Sequence, residues 1–119
     1  MNPGTMTFDQ INNMLRVLED VRAERYRQHA KWGEQNHPDG TGGVHAVHQA
    51  EMAKDSTDRA ARNGQLTFRL IADEEVAEAN AETDQEKLRA ELVQAAAVYV
   101  AWIEAVDRRR AQKKEEKAE

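Results

Sequence analysis

Two short stretches of the chain carry side chains able to act chemically as a group. They are Glu74-Glu75-Val76-Ala77-Glu78 and, twelve residues later, Glu91-Leu92-Val93-Gln94. Residues three apart share a face of a helix, so Glu75 projects with Glu78, and Glu91 with Gln94. The two pairs are centred on either side of residue 84. A turn there sets them at the same height on the arms of an antiparallel helix hairpin. Three carboxylates and one amide oxygen converging between helices repel one another unless a cation neutralises them or protons are taken up. An oxygen-only ligand set suits a hard ion, Mg²⁺ or Mn²⁺, and Mg²⁺ commonly serves phosphate chemistry. Glutamates at this spacing on a chain that is 33% charged equally describe a solvated face. The neighbours weigh against that reading. Leu70, Ile71, Val76 and Ala77 flank the acidic triplet, an alanine run follows Glu91, and the nearest basic residues, Arg69 and Lys87, stand only at the edges.

The elements that must position these groups are helices. Strand-like alternation is nearly absent, and alanine, glutamate, arginine and glutamine favour helix. The expected class is all-α, a helical bundle built on a central antiparallel hairpin and completed by homo-oligomerisation. Thr7-Phe8-Asp9-Gln10 reads as a capping box, opening a first helix that runs to about Trp32. Its Phe8, Ile11, Met14, Leu15, Leu18, Val21 and Tyr26 recur in steps that place them on one stripe. A loop follows from Gly33 to Gly43, with four glycines and Pro38. A second helix spans roughly Val44 to Arg62, stopped by Asn63-Gly64. Thr67 caps a third helix to about Glu82, and Thr83-Asp84-Gln85-Glu86 reads as another capping box at the start of a fourth. The tail from about Arg109 lacks apolar anchors and is expected to fray. Residues 1–119 read as one domain, without repeats or linkers.

Composition removes whole classes of function. The chain has no cysteine, hence no disulfide framework, thiolate metal site or cysteine nucleophile. The longest apolar run, Ala95 to Ile103, is about half a membrane span, and Met1-Asn2-Pro3-Gly4 lacks the layout of a secretory signal. A net charge of −5 argues against a general nucleic-acid binder. The expectation is a cytoplasmic protein with neither nucleic acid nor membrane as partner. Of its apolar residues 19 are alanine, leaving 28 larger side chains. So thin a supply is most easily buried against other copies, as a homodimer or homotetramer.

Other residues invite weaker readings. Trp32 beside the glycine-rich loop can stack on a nucleobase, with Asn36 or His37 hydrogen bonding, or can simply anchor a helix end. Lys31, Arg27, Lys54 and Arg62 are candidates for phosphate contact, though solvation is the usual role of such groups. His45 and His48 share a face but have no third nitrogen or sulfur ligand for zinc. Tyr99 and Trp102 lie on the apolar stripe of the last helix. The arginines at 108 to 110 suit the negative end of a helix dipole or a neighbouring subunit's phosphate site.

Taken together, Leu70-Ile71-Ala72-Asp73-Glu74-Glu75-Val76-Ala77-Glu78-Ala79 and Glu91-Leu92-Val93-Gln94 resemble the MazG-like all-α nucleoside triphosphate pyrophosphohydrolases. Their signature is Glu-Glu-x-x-Glu on one helix and Glu-x-x-Asp on the next. Glu24-Arg25-Tyr26-Arg27-Gln28 and Lys31-Trp32-Gly33-Glu34-Gln35-Asn36-His37-Pro38 are similar to small members of that family, and the resemblance covers about residues 15 to 108. It implies Mg²⁺-dependent hydrolysis of (deoxy)nucleoside triphosphates to monophosphate and pyrophosphate, as in clearing surplus or non-standard nucleotides. By position, Glu75, Glu78 and Glu91 match the family's Mg²⁺ ligands, and Glu74 matches the first glutamate, a candidate to support the metal or orient the water. The departure is Gln94 in place of aspartate. It leaves a second reading open, a catalytically weak nucleotide-binding or sensing module with an impaired metal site. A third is a structural helical adaptor.

Overall fold

The Thr7 hydroxyl accepts a hydrogen bond from the Gln10 backbone at 3.2 Å, while the Gln10 side chain accepts from the Thr7 N–H at 2.8 Å. This reciprocal pair satisfies two N–H groups that a helix end leaves without partners. From it, in a computed structural model describing residues 4–118, α1 runs Phe8–Trp32. The helices α2 (Val44–Arg62), α3 (Phe68–Ala81) and α4 (Gln85–Ala118) follow. The chain is all-helical, with no strand among the described residues. Met1, Asn2 and Pro3, which bear on the targeting reading, lie outside them. No described helix is long and apolar enough to cross a membrane.

The described residues fall into two compact units. One comprises the residues before Pro38 and those from Val100 onward; the other is Pro38–Tyr99. In the first, Val17 is the one fully buried large side chain. The apolar stripe predicted on α1 is largely open instead, from Phe8 at 86% exposed to Ile11 at 37%, with Met14 half-buried. Tyr26 is exposed too, its hydroxyl accepting from Arg22 at 3.1 Å. The apolar stripe exists, but the chain turns a different side of α1, through Val17, toward its own core. The tail also differs from expectation: residues 109–118 continue α4 as helix, with exposed side chains.

In the second unit α2 packs on α3. The buried Thr57 hydroxyl ties the two, donating to Ala53 O at 3.0 Å and also lying 3.3 Å from Leu70 O. Thr67 caps α3 by accepting from the Leu70 N–H. Three residues connect α3 to α4. Within them the Glu82 carboxylate accepts from the Thr83 and Asp84 N–H groups at 3.2 and 3.0 Å. The N-cap of α4 is Asp84 and not Thr83. Its carboxylate accepts from the Lys87 N–H at 3.0 Å, and an ionised acceptor suits the positive helix end better than a hydroxyl.

The glycine-rich loop is strapped across this turn. Gly42 N–H donates to Asn80 O at 2.8 Å, and Gln85 donates to the Asp39 carboxylate at 3.0 Å. Gly42 must be glycine: its φ is +92°, and a Cβ there would meet the Thr83 methyl at 2.5 Å.

Candidate metal centre

Glu75 lies in a row of α3, Phe68, Ala72, Glu75 and Ala79, whose steps of four and three turn one side of the helix inward. Ala72 and Ala79 on either side of it are buried. Glu91 lies likewise in a row of α4 between buried Leu88 and Ala95. Both carboxylates thus occupy positions that packing would ordinarily give to apolar side chains, and small alanines leave them room. Glu78, half-buried, is one turn on from Glu75.

Glu75, Glu78 and Glu91 each offer an oxygen, and these three oxygens lie within 4.8 Å of one another. One oxygen each of Glu75 and Glu91 (Oε2 in both) is buried without a hydrogen-bond partner. An unpaired buried carboxylate oxygen is costly, and here it is not offset by a cationic side chain. Every influence on Glu75 and Glu78 favours protonation. Burial, then the charges of Glu91 and Glu74, raises Glu75 above the ordinary carboxylate range. Burial, then Glu75, Glu91 and Glu74 and a hydrogen bond with Glu91, pushes Glu78 up to about 7.

Either protons or a cation must balance such a cluster. Octahedral Mg²⁺ with ligands at about 2.1 Å needs oxygen separations of about 3.0 to 4.2 Å, within small side-chain adjustments of the spread present. The residues fit a hard divalent ion. No other cluster of three or more His, Asp or Glu that could hold an ion lies among the described residues.

The remaining predicted residues lie as follows. Glu74 is half-buried beside the triad and within electrostatic reach of Lys54, which pairs with Asp58 at 3.0 Å. Gln94, one turn beyond Glu91, is exposed. Lys31, Trp32, Asn36 and His37 belong to the other unit. There the Lys31 ammonium sits 4.7 Å from the Trp32 ring centre. Trp32, Glu34, Gln35, Asn36 and His37 line an open pocket of about 490 Å³, with Asn36 donating to Glu34 at 3.4 Å.

A pocket that the sequence did not announce, of about 430 Å³, lies on another face of α3. It is lined by residues that include Gln49, Met52, Asp73, Val76, Asn80 and Tyr99. Its only sequence signal is the spacing 73, 76, 80. Comparison with family models, curated proteins and solved structures finds no match to this chain.

Proposed function

We propose that the chain is a MazG-like, Mg²⁺-dependent nucleoside triphosphate pyrophosphohydrolase, cytoplasmic and homo-oligomeric, acting on free nucleotides and neither on nucleic acid nor at a membrane. The observation that carries this reading is the triad of Glu75, Glu78 and Glu91, with two buried oxygens lacking any partner. An antiparallel arrangement of α3 and the first half of α4 accounts for their meeting across a three-residue turn.

In this reading Glu75, Glu78 and Glu91 hold the ion. Bound there, Mg²⁺ (or Mn²⁺) supplies positive charge to the phosphate oxygens. Glu74, on the adjoining side of α3, orients the attacking water and takes its proton. Attack at the α-phosphorus breaks the bond to the bridging oxygen and releases pyrophosphate, leaving the monophosphate. Lys54, within electrostatic reach of Glu74, is a basic candidate to meet the phosphates.

The test is pyrophosphate release across a panel of ribo- and deoxynucleoside triphosphates, with and without Mg²⁺. Metal-dependent release supports the reading; none with any nucleotide defeats it. One observation favours the second reading, a nucleotide-binding module of weak activity. The position one turn beyond Glu91 is the uncharged, exposed Gln94, so the ion is held by three charges rather than four. Mg²⁺-dependent nucleotide binding without turnover is the outcome that would select it.

A further inference from the structure

Of the six asparagines in the chain, only Asn63 precedes a glycine. That pair carries chemistry of its own. The carbon of an asparagine amide is an electrophile within reach of the next residue's backbone nitrogen. Glycine, having no side chain, leaves that nitrogen open to approach. Both residues are exposed, between α2 and α3. Asp39-Gly40 is the matching aspartate pair. An ionised carboxylate is a poorer electrophile than an amide, however, and that of Asp39 accepts from Gln85 at 3.0 Å.

The fold holds the pair in an unreactive shape. Gln65 N–H donates to Ala60 O at 2.8 Å and Gly64 N–H to Ala61 O at 3.3 Å, with Gly64 at φ +67°. These two bonds around a left-handed glycine form a Schellman cap, which satisfies carbonyls that the last turn of α2 leaves open. The cap holds ψ of Asn63 at 5°. At that angle the Gly64 nitrogen eclipses the backbone nitrogen of Asn63, whereas closing a ring on the side chain needs it over Cβ. The Gly64 N–H is also engaged with Ala61. Reaction therefore requires the cap to open.

We propose that Asn63 is a site of spontaneous deamidation whose rate is set by opening of the α2 C-cap, a local event at a helix end. In the open state the Gly64 nitrogen gives its proton to solvent base and attacks Cγ of Asn63. The N–Cγ bond forms, the Cγ–Nδ2 bond breaks, and Nδ2 takes up a proton and leaves as ammonia. Water then opens the succinimide at one of its two carbonyls, leaving aspartate or isoaspartate. Either product puts a carboxylate at the negative end of the α2 dipole. Isoaspartate also adds a methylene to the main chain, so the Gly64 and Gln65 N–H groups no longer reach Ala61 and Ala60 together. The cap does not re-form, and the five-residue link from α2 to α3 is loosened at its start.

The test is peptide mapping by mass spectrometry after incubation at mildly alkaline pH, comparing the native chain, the chain in urea, and Gln65→Pro. Proline removes the N–H bonded to Ala60 and leaves Asn63-Gly64 intact. The mass gain of an amide-to-acid exchange is expected at Asn63 ahead of every other asparagine, as two products of equal mass that separate chromatographically. Conversion is expected to be several-fold faster in urea and in Gln65→Pro than in the native chain. Gly64→Ala, compared in urea so that folding plays no part, is expected to convert several-fold more slowly, because its methyl screens the nitrogen. A native Asn63 still intact when the chain in urea has fully converted, earlier conversion of another asparagine, or an undiminished rate in Gly64→Ala would overturn the site. Equal rates in the native chain and in urea, or a folded Gln65→Pro as slow as the wild type, would overturn gating by the cap. None of these readouts involves metal or nucleotide, so they stand or fall apart from the enzymatic reading.

Discussion

Glu78 has the carboxyl most altered by its surroundings, and its titration gives the site a signature. A carboxyl with a higher pKa folded than unfolded adds stability below its ordinary value of 4.5 and loses that contribution as pH rises through about 7. The metal-free chain is therefore expected to lose stability across that window, by up to about 1.4 kcal/mol per pH unit from this one group. Mg²⁺ competes with the proton. Its apparent affinity is expected to climb no more than about tenfold per unit up to pH 7, then level. Thermal midpoints measured from pH 5 to 8, in chelator and in Mg²⁺, check both; parallel curves would speak against the cluster as a metal site. Glu75→Gln and Glu78→Gln are expected to cut pyrophosphate release at least about a hundredfold with helical content unchanged. In chelator at pH 8 they should melt higher than the wild type, because a repelling charge is gone. Gln94→Asp adds the missing charge and is expected to tighten Mg²⁺ binding. An identical Mg²⁺ titration would take Gln94 out of the ligand set.

At the scale of elements, the turn between α3 and α4 decides whether the carboxylates meet. Glu82 and Asp84 fill its backbone donors, and the glycine-rich loop clamps it through Gly42 and Asp39. Gly42→Ala is expected to destabilise the chain by about 2 kcal/mol, from the positive φ and the clash with the Thr83 methyl. Adding Thr83→Ser removes that methyl and should recover part of the loss, while the backbone strain remains. Urea unfolding of the two variants separates the contributions. A harmless Gly42→Ala would mean that the loop does not brace the turn.

Over the whole molecule, the described residues leave much apolar surface open, including Phe8, Leu15, Val44, Met52, Leu92 and Val93. Few large side chains are buried: among the described residues Val17 and Leu88 are the only buried apolar ones larger than alanine. In the proposed reading, ligands and partner copies, which bind the folded state alone, supply part of the stability. Mg²⁺ at a hundred times its dissociation constant is expected to add about 2.7 kcal/mol. A triphosphate supplied with Mg²⁺ should raise the melting temperature further. No shift with either would leave the helical adaptor as the surviving reading.

Helix ends were legible in the residues alone. Thr7 with Gln10, Thr67, Gly33 and Asn63-Gly64 mark them because capping is settled within four residues of chain. The acidic pairs were legible for the same reason, since helical spacing fixes which side chains share a face. Where two caps compete, as at Thr83 and Asp84, the letters do not choose; the path of the turn does. The rotation of each helix about its own axis likewise depends on its neighbours. Only the tertiary structure could turn Val17 inward and Phe8 outward, or join Glu75, Glu78 and Glu91 while leaving Gln94 exposed. It also decided that Glu75 and Glu91 keep buried oxygens unpaired. Burial and hydrogen bonding join residues far apart in the chain, and no local pattern encodes them.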